Sequence, residues 1–312
     1  MLGPLEHAYT NAGAAGGSLS TEKAFLSKLA QKYPGKRAFI TGAGGGLGLA
    51  FATELAKDGW NIAITDVNEQ MLTSAAEALR TAGGKPTPYV FDVSDYNQFR
   101  DAVKDFEQKA GGIDIGINNA GIGCGGFLHE STIETFRKVI DINIMGVAHG
   151  CHLFVPIMKK QRSGHILNVA SAAAFVAAPR MSAYNTSKAG VLALSETLRG
   201  ELSGDGILVS VMMPTYVRTN IGVNALGPAE DNRLAQRLVE KSKLSAEEVT
   251  IETLQKMAAG EFYIILPANA RFLWRFKRLM PDRFSRFIVD EMNRVFSRKR
   301  TTPSEKPSDA QT

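Results

Sequence analysis

Residues 36–48, Lys36-Arg37-Ala38-Phe39-Ile40-Thr41-Gly42-Ala43-Gly44-Gly45-Gly46-Leu47-Gly48, decide the fold. The apolar run 37–41 reads as a strand buried on both faces. Four of the next six residues are glycines, and from Leu47 to Asp58 apolar residues recur at helical spacing. A dinucleotide site needs this layout. Glycines let the backbone turn tightly and approach a pyrophosphate, and a helix N-terminus supplies free N–H groups and a positive dipole. A tight strand–helix turn that binds nothing has the same glycines, so the next strand decides between them. It ends at Asp66, 18 residues beyond Gly48, near the spacing of about 20 at which a carboxylate holds the adenosine ribose hydroxyls. That carboxylate repels a 2′-phosphate. The turn holds no Lys or Arg, and Val67 follows Asp66. NAD is expected in preference to NADP.

Outward from this unit the chain alternates short apolar strands with amphipathic helices. Strands are expected at 37–41, 61–66, 87–93, 113–118, 165–170 and 208–213, with a last short one at 262–266 ended by Pro267. Helices are expected at 47–58, 69–82, 95–110, 132–160 and 183–203. Repetition of strand, helix, strand predicts an α/β domain of Rossmann type over 36–267. It is a doubly wound parallel sheet of about seven strands with helices on both faces. Residues 220–260 read as a substrate-loop insertion, a loop followed by two helices. Ser245-Ala246-Glu247-Glu248 forms a capping box there.

Residues 1–35 read as an extension, flexible at 11–18 (NAGAAGGS) and then a short helix. The first 20 residues are set aside from the fold reasoning. Residues 268–300 read as a helical extension broken at Pro281, and 301–312 as a disordered polar tail.

Tyr184 and Lys188 stand at i and i+4 on one expected helix. A phenol is a poor acid or base at neutral pH, and a nearby ammonium favours its anion, so such a pair can move a proton to or from an alcohol. Tyr-x-x-x-Lys also occurs by chance on exposed helices. Its context makes it specific: at this point the chain resembles the short-chain dehydrogenase/reductase family.

The family's Thr-Gly-x-x-x-Gly-x-Gly is matched by Thr41, Gly42, Gly46 and Gly48, and its Asp-Val by Asp92-Val93. Asn118-Asn119-Ala120-Gly121 matches its Asn-Asn-Ala-Gly. Asn143 and Ser171 match the catalytic Asn and Ser, with Ser171 lying 13 residues before Tyr184. Pro214-Thr215 stands where the family has Pro-Gly, followed by Val217 and Thr219 at nicotinamide-side positions. The glycine turn also fits Thr-Gly-x-x-Gly-x-x-Gly through Gly42, Gly45 and Gly48. That pattern marks the larger branch of epimerases and dehydratases. Asn-Asn-Ala-Gly and the lack of a substantial second domain favour the single-domain oxidoreductase branch.

The resemblance implies a catalytic set of Asn143, Ser171, Tyr184 and Lys188. Tyr184 transfers the proton, Lys188 lowers its pKa and holds the nicotinamide ribose, Ser171 supports the substrate oxygen, and Asn143 holds a water leading to solvent. It implies a cofactor set of Gly42, Gly44, Gly45, Gly46, Leu47, Gly48, Asp66, Val67, Asp92, Val93, Asn119, Ala120, Gly121, Tyr184, Lys188, Pro214, Thr215, Val217 and Thr219. The implied activity is NAD-dependent interconversion of a secondary alcohol and a ketone, in a homodimer or homotetramer. An NADPH-dependent carbonyl reductase, or a catalytically silent nucleotide-binding regulator on the same fold, are the alternatives.

The bulk properties agree with such an enzyme. With 44% hydrophobic and 21% charged residues the chain buries a real core. Cys124 and Cys151 make no disulfide framework, and no run of 18 apolar residues or basic–apolar leader stands out. A cytoplasmic location is expected. No metal is expected: the five histidines are scattered, and His149 and His152, at i and i+3, lack a third ligand nearby.

The stretch 172–178 (AAAFVAA) after Ser171 is wholly apolar, and Met212, Met213 and Tyr216 add to it. These residues line a pocket for a lipophilic alcohol or ketone, or they pack under the loop. The net charge of +5 is local: 271–300 holds ten Lys/Arg and three Asp/Glu, a net +7. There Phe272, Trp274, Phe276, Phe284 and Phe287 alternate with arginines, a basic amphipathic pattern. It reads as a peripheral membrane contact or as packing on the domain or a partner subunit. Nucleic acid is not expected, because the motif-bearing core is not basic.

Overall fold

A computed structural model describes residues 19–219 and 225–300. The linker at 11–18, the tail at 301–312 and part of the insertion loop lie outside the described residues, as do the side chains of 19–25, 234 and 295–300.

The chain enters through α1 (Leu19–Lys32) and runs into β1 (Arg37–Thr41), α2 (Gly46–Ala56), β2 (Asn61–Asp66), α3 (Glu69–Thr81), β3 (Lys85–Val90), α4 (Tyr96–Ala110) and β4 (Ile115–Asn118). There follow α5 (Ile133–Ile140), a π turn (Asp141–Met145), α6 (Gly146–Gln161), β5 (Gly164–Val169), the short α7 (Ala173–Val176), α8 (Ser182–Glu201) and β6 (Ile207–Pro214). The insertion supplies α9 (Ala229–Glu240) and α10 (Ala246–Ala258), and the chain continues through β7 (Tyr263–Leu266), α11 (Ala270–Leu279) and α12 (Pro281–Arg300). The strands form one parallel sheet in the order β3-β2-β1-β4-β5-β6-β7. This is the doubly wound Rossmann-type sheet that the alternation predicts.

Strand pleating sends successive side chains to opposite faces and so builds two cores. From β1, Phe39 enters the core beneath α4, α6, α8, α11 and α12, where it meets Phe99, Phe106 and Phe154 at ring distances of 5.4–5.9 Å. Its neighbours Ala38 and Ile40 enter the other core, beneath α1, α2, α3 and α10, with Leu29, Phe51, Leu55 and Leu254.

Local chemistry sets the helix ends. Asn68 Oδ1 accepts the Met71 N–H, Asp95 Oδ1 those of Asn97 and Gln98, and Ser245 and Glu248 close the expected capping box. The break at Pro281 falls between α11 and α12.

Besides a later start of β4 and the unexpected short α7, two elements differ most from the sequence reading. β3 starts and stops earlier, at 85–90, and carries Pro86 and Pro88. It tolerates them because it is an edge strand. The N–H groups of Lys85 and Phe91 face β2, so the alternating even positions face outward, where no donor is needed. The single helix expected at 132–160 is instead two, joined by the π turn around Asn143. The stretch 133–161 has the length and apolarity of a membrane span. It covers the sheet, with Val147, Cys151, Phe154 and Met158 in the core.

Candidate active site

The strand order reverses between β1 and β4, and the loops leaving their C-terminal ends meet there. Thr41 Oγ1, at the end of β1, accepts the backbone N–H groups of Asn119 and Ala120, each at 3.0 Å. Asn119 Nδ2 donates to the carbonyls of Thr41 and Gly42 at 2.9 and 3.0 Å, so its side chain braces the glycine turn. Gly42 sits at φ 64°, and a Cβ on it would lie 2.8 Å from Ala120 Cα. Gly44 donates its N–H to Asp66 Oδ2, and a Cβ there would meet that carboxylate at 2.8 Å.

Helix α2 then starts with Gly45 as N-cap, with no side-chain cap and no acid in its first turn. Its first N–H groups therefore point, uncapped, to where a dinucleotide's pyrophosphate lies in this fold. Val67, beside Asp66, is exposed. These residues fit a nicotinamide dinucleotide, and the buried Thr215 Oγ1, which has no protein partner, adds a polar group at the far end.

The four catalytic candidates come from three places in the fold: the π turn, the end of β5 and α8. Asn143 lies in the π turn, fully buried. Its Oδ1 accepts the Ile122 N–H at 2.8 Å, and its Nδ2 donates to Ile122 O and Ser187 Oγ, each at 3.0 Å. The extra residue of a π turn re-aims a side chain without breaking the helix.

Ser171 follows β5, and its Oγ accepts the Ala173 N–H at 3.1 Å. Tyr184 and Lys188 share the buried face of α8. Burial pushes the Tyr184 phenol up, and a hydrogen bond from Ser171 opposes that. Burial pulls Lys188 down to about 8. Its Nζ donates to Val169 O at 3.0 Å and stands 5.7 Å from the Tyr184 ring centroid. A Cβ on Gly121 would lie 3.1 Å from Asn143 Oδ1 and 3.4 Å from Lys188 Nζ, so the glycine lets the chain pass between them.

A cavity of about 200 Å³ opens over this cluster. It joins Leu47, Asn119, Gly121, Ser171, Tyr184, Lys188, Pro214, Thr215, Val217 and Thr219 from the expected site. Asn143 stands behind it. Asp92 and Val93 lie just past β3, where Asp92 Oδ1 accepts from Ser94 and Val93 is buried against Gly146. His149 and His152 both pack on Tyr96, and His149 Nδ1 lies 2.9 Å from Val93 O.

Among the cavity residues that escaped the sequence reading are Arg180, Asp231 and Met292. Arg180 and Asp231 form an ion pair between residues 51 apart in the chain. Met292 reaches the cavity from α12.

The family model for short chain dehydrogenase matches residues 36–227. The chain belongs to the short-chain dehydrogenase family. It is 36% identical over 197 residues to the probable oxidoreductase EphD of Mycobacterium tuberculosis, covering 62% of this chain and 33% of that one. It therefore spans about one third of that relative's length. It is 27% identical to mouse estradiol 17-beta-dehydrogenase 11 over 89% of this chain and 90% of that one.

Among solved structures, a short-chain dehydrogenase/reductase from Burkholderia phymatum in complex with NAD superimposes with a TM-score of 0.73 at 35% identity, over 78% of this chain and 94% of that one. An alcohol dehydrogenase from Thermococcus sibiricus, complexed with 5-hydroxy-NADP, does so at 0.64 and 25% identity, over 74% and 95%. This short-chain dehydrogenase thus resembles relatives that hold either form of the dinucleotide.

Proposed function

We propose that this short-chain dehydrogenase interconverts a lipophilic secondary alcohol and its ketone with NAD(H). One observation carries the reading: a single cavity places Ser171 and Tyr184 against an aliphatic wall of Val176, Ala178, Ala225, Leu238, Val239 and Met292. The mouse relative's name, estradiol 17-beta-dehydrogenase, points to an alcohol of the same lipophilic class.

Glycines 42, 44, 45 and 46, the α2 N-terminus, Asp66 and the 214–219 segment would hold the dinucleotide, which when bound exchanges a hydride with the substrate carbon. The chain's own residues manage the oxygen. Tyr184, its phenol raised by burial, keeps its proton at neutral pH and donates it to a ketone oxygen. Ser171 donates its one hydroxyl proton to the same oxygen as charge develops. Lys188, still largely an ammonium at pH 7, adds positive charge near that phenolate. Asn143 positions the loop at Ile122 and the α8 residue Ser187.

Support for NAD over NADP comes from the neighbours of Asp66: Gly44, Val67 and Asn68 offer a 2′-phosphate no cation. The test is NADH formation across steroids, retinoids, and aliphatic and aromatic alcohols. Turnover of bulky apolar secondary alcohols is expected. Turnover confined to small polar alcohols would overturn the substrate class.

A further inference from the structure

Helices α11 and α12 turn one side to the domain and another to solvent. Ala270, Leu273, Phe284 and Ile288 are buried in the core they share with β6 and α8. Packing on the domain explains these four. It leaves Phe272 69% exposed, Leu279 79% and Met280 44%.

Phe272, Phe276 and Leu279 stand at i, i+4 and i+7, one stripe of the helix. The Phe272 and Phe276 rings lie 6.2 Å apart, and Phe276 continues to Phe287 at 6.0 Å. Phe276 and Phe287 are half-buried against the core and back the exposed Phe272 and Leu279, and exposed apolar groups clustered in this way mark a contact surface. Arg275, Arg278, Arg283 and Arg286 are exposed around them, in a segment of net charge +7.

We propose that the α11–α12 hairpin docks this protein on an anionic lipid surface. Phe272, Leu279 and Met280 enter the boundary between headgroups and acyl chains, and the arginines meet the lipid phosphates. Charge complementarity selects this occupant. A second copy across a two-fold axis would set +7 against +7. A nucleic acid would engage the arginines and leave the aromatic stripe in water. The substrate class proposed above deepens the inference, and this part rests on it: α12 carries Met292 into the catalytic cavity, so the docking helix is also a cavity wall.

The test is sedimentation of the full chain with vesicles of phosphatidylcholine alone or mixed with phosphatidylglycerol. Binding is expected only with the anionic lipid and should fall as salt rises. The double change Phe272→Ser and Leu279→Ser should weaken it at least about tenfold. Arg275→Gln with Arg286→Gln should remove most of the preference for the anionic lipid. An unchanged thermal midpoint shows that each variant folds. Equal sedimentation with both lipids, variants that bind like the wild type, or a self-associated form that Phe272→Ser disperses without any vesicle binding would each overturn the proposal. So would binding to duplex DNA in place of vesicles. Sedimentation reads no turnover, so failure here leaves the oxidoreductase reading standing, and failure of that reading leaves docking standing.

Discussion

Gly44 donates its backbone N–H to the Asp66 carboxylate at 3.1 Å. The glycine turn proposed to hold the pyrophosphate therefore also fixes the acid proposed to hold the adenosine ribose. Asn68 N–H holds the other oxygen at 3.0 Å, so the carboxylate is locked in place. A 2′-phosphate brought there meets a fixed negative charge. NADH is expected to bind at least about tenfold tighter than NADPH in a fluorescence titration, and Asp66→Ser should narrow that ratio. Equal or tighter NADPH binding by the wild type would contradict the assignment.

Arg180 holds Asp231 with Nε to Oδ1 at 2.7 Å and Nη2 to Oδ2 at 2.8 Å. This fork ties α9 of the insertion to the loop entering α8. Arg180 also adopts φ 63°, a left-handed conformation, and its guanidinium stacks 4.3 Å from the Phe127 ring centroid. Such a backbone persists only where its surroundings hold it. Arg180→Met should release α9 and raise KM for the alcohol roughly 3- to 10-fold, with NADH affinity unchanged. Adding Asp231→Asn should cost little more, because the two groups act as one pair. Additive effects in that cycle would show that they do not.

His165 is fully buried between β4 and β6. Ser210 Oγ donates to Glu261 O at 2.7 Å, so it receives the His165 Nε2 proton at 2.8 Å. Nδ1 is buried without a partner, and protonating it would bury an unmatched donor. Burial, helped by Lys32, pulls the imidazole down to about 3. The unfolded chain takes up this proton near pH 6.5 and the native chain only near pH 3, so stability falls as pH drops through that window. The slope from this residue approaches about 1.4 kcal/mol per pH unit. Urea midpoints measured from pH 7 to pH 4 should fall, and His165→Asn should flatten part of that fall. An identical slope in the variant would remove His165 as its source.

Much of the fold was legible because its signals are local. Each strand is a short apolar run, and Asn68, Asp95 and Ser245 cap helices that start beside them. The glycine turn and the Tyr184–Lys188 pair are likewise local spacings, and the fold brings the pair to the cavity that Leu47, at the end of the turn, also lines. What escaped is long-range or period-breaking. The π turn at Asn143 adds one residue to a turn without interrupting the apolar pattern, so 132–160 reads as one helix. Its only trace is a buried asparagine among apolar neighbours. The Arg180–Asp231 pair joins a loop to a helix 51 residues away, which no periodicity relates. The amphipathic pattern of 271–300 was visible. That Leu273 and Phe284 pack inward while Phe272 and Leu279 do not depends on which way the hairpin lies against the sheet.

The most direct test compares NADH formation by the wild type and by Tyr184→Phe, with the best alcohol from the panel. Removing one hydroxyl from a buried ring leaves the packing nearly unchanged. NADH binding should persist while kcat falls at least about 100-fold. A Tyr184→Phe variant that turns over at the wild-type rate would contradict the catalytic assignment.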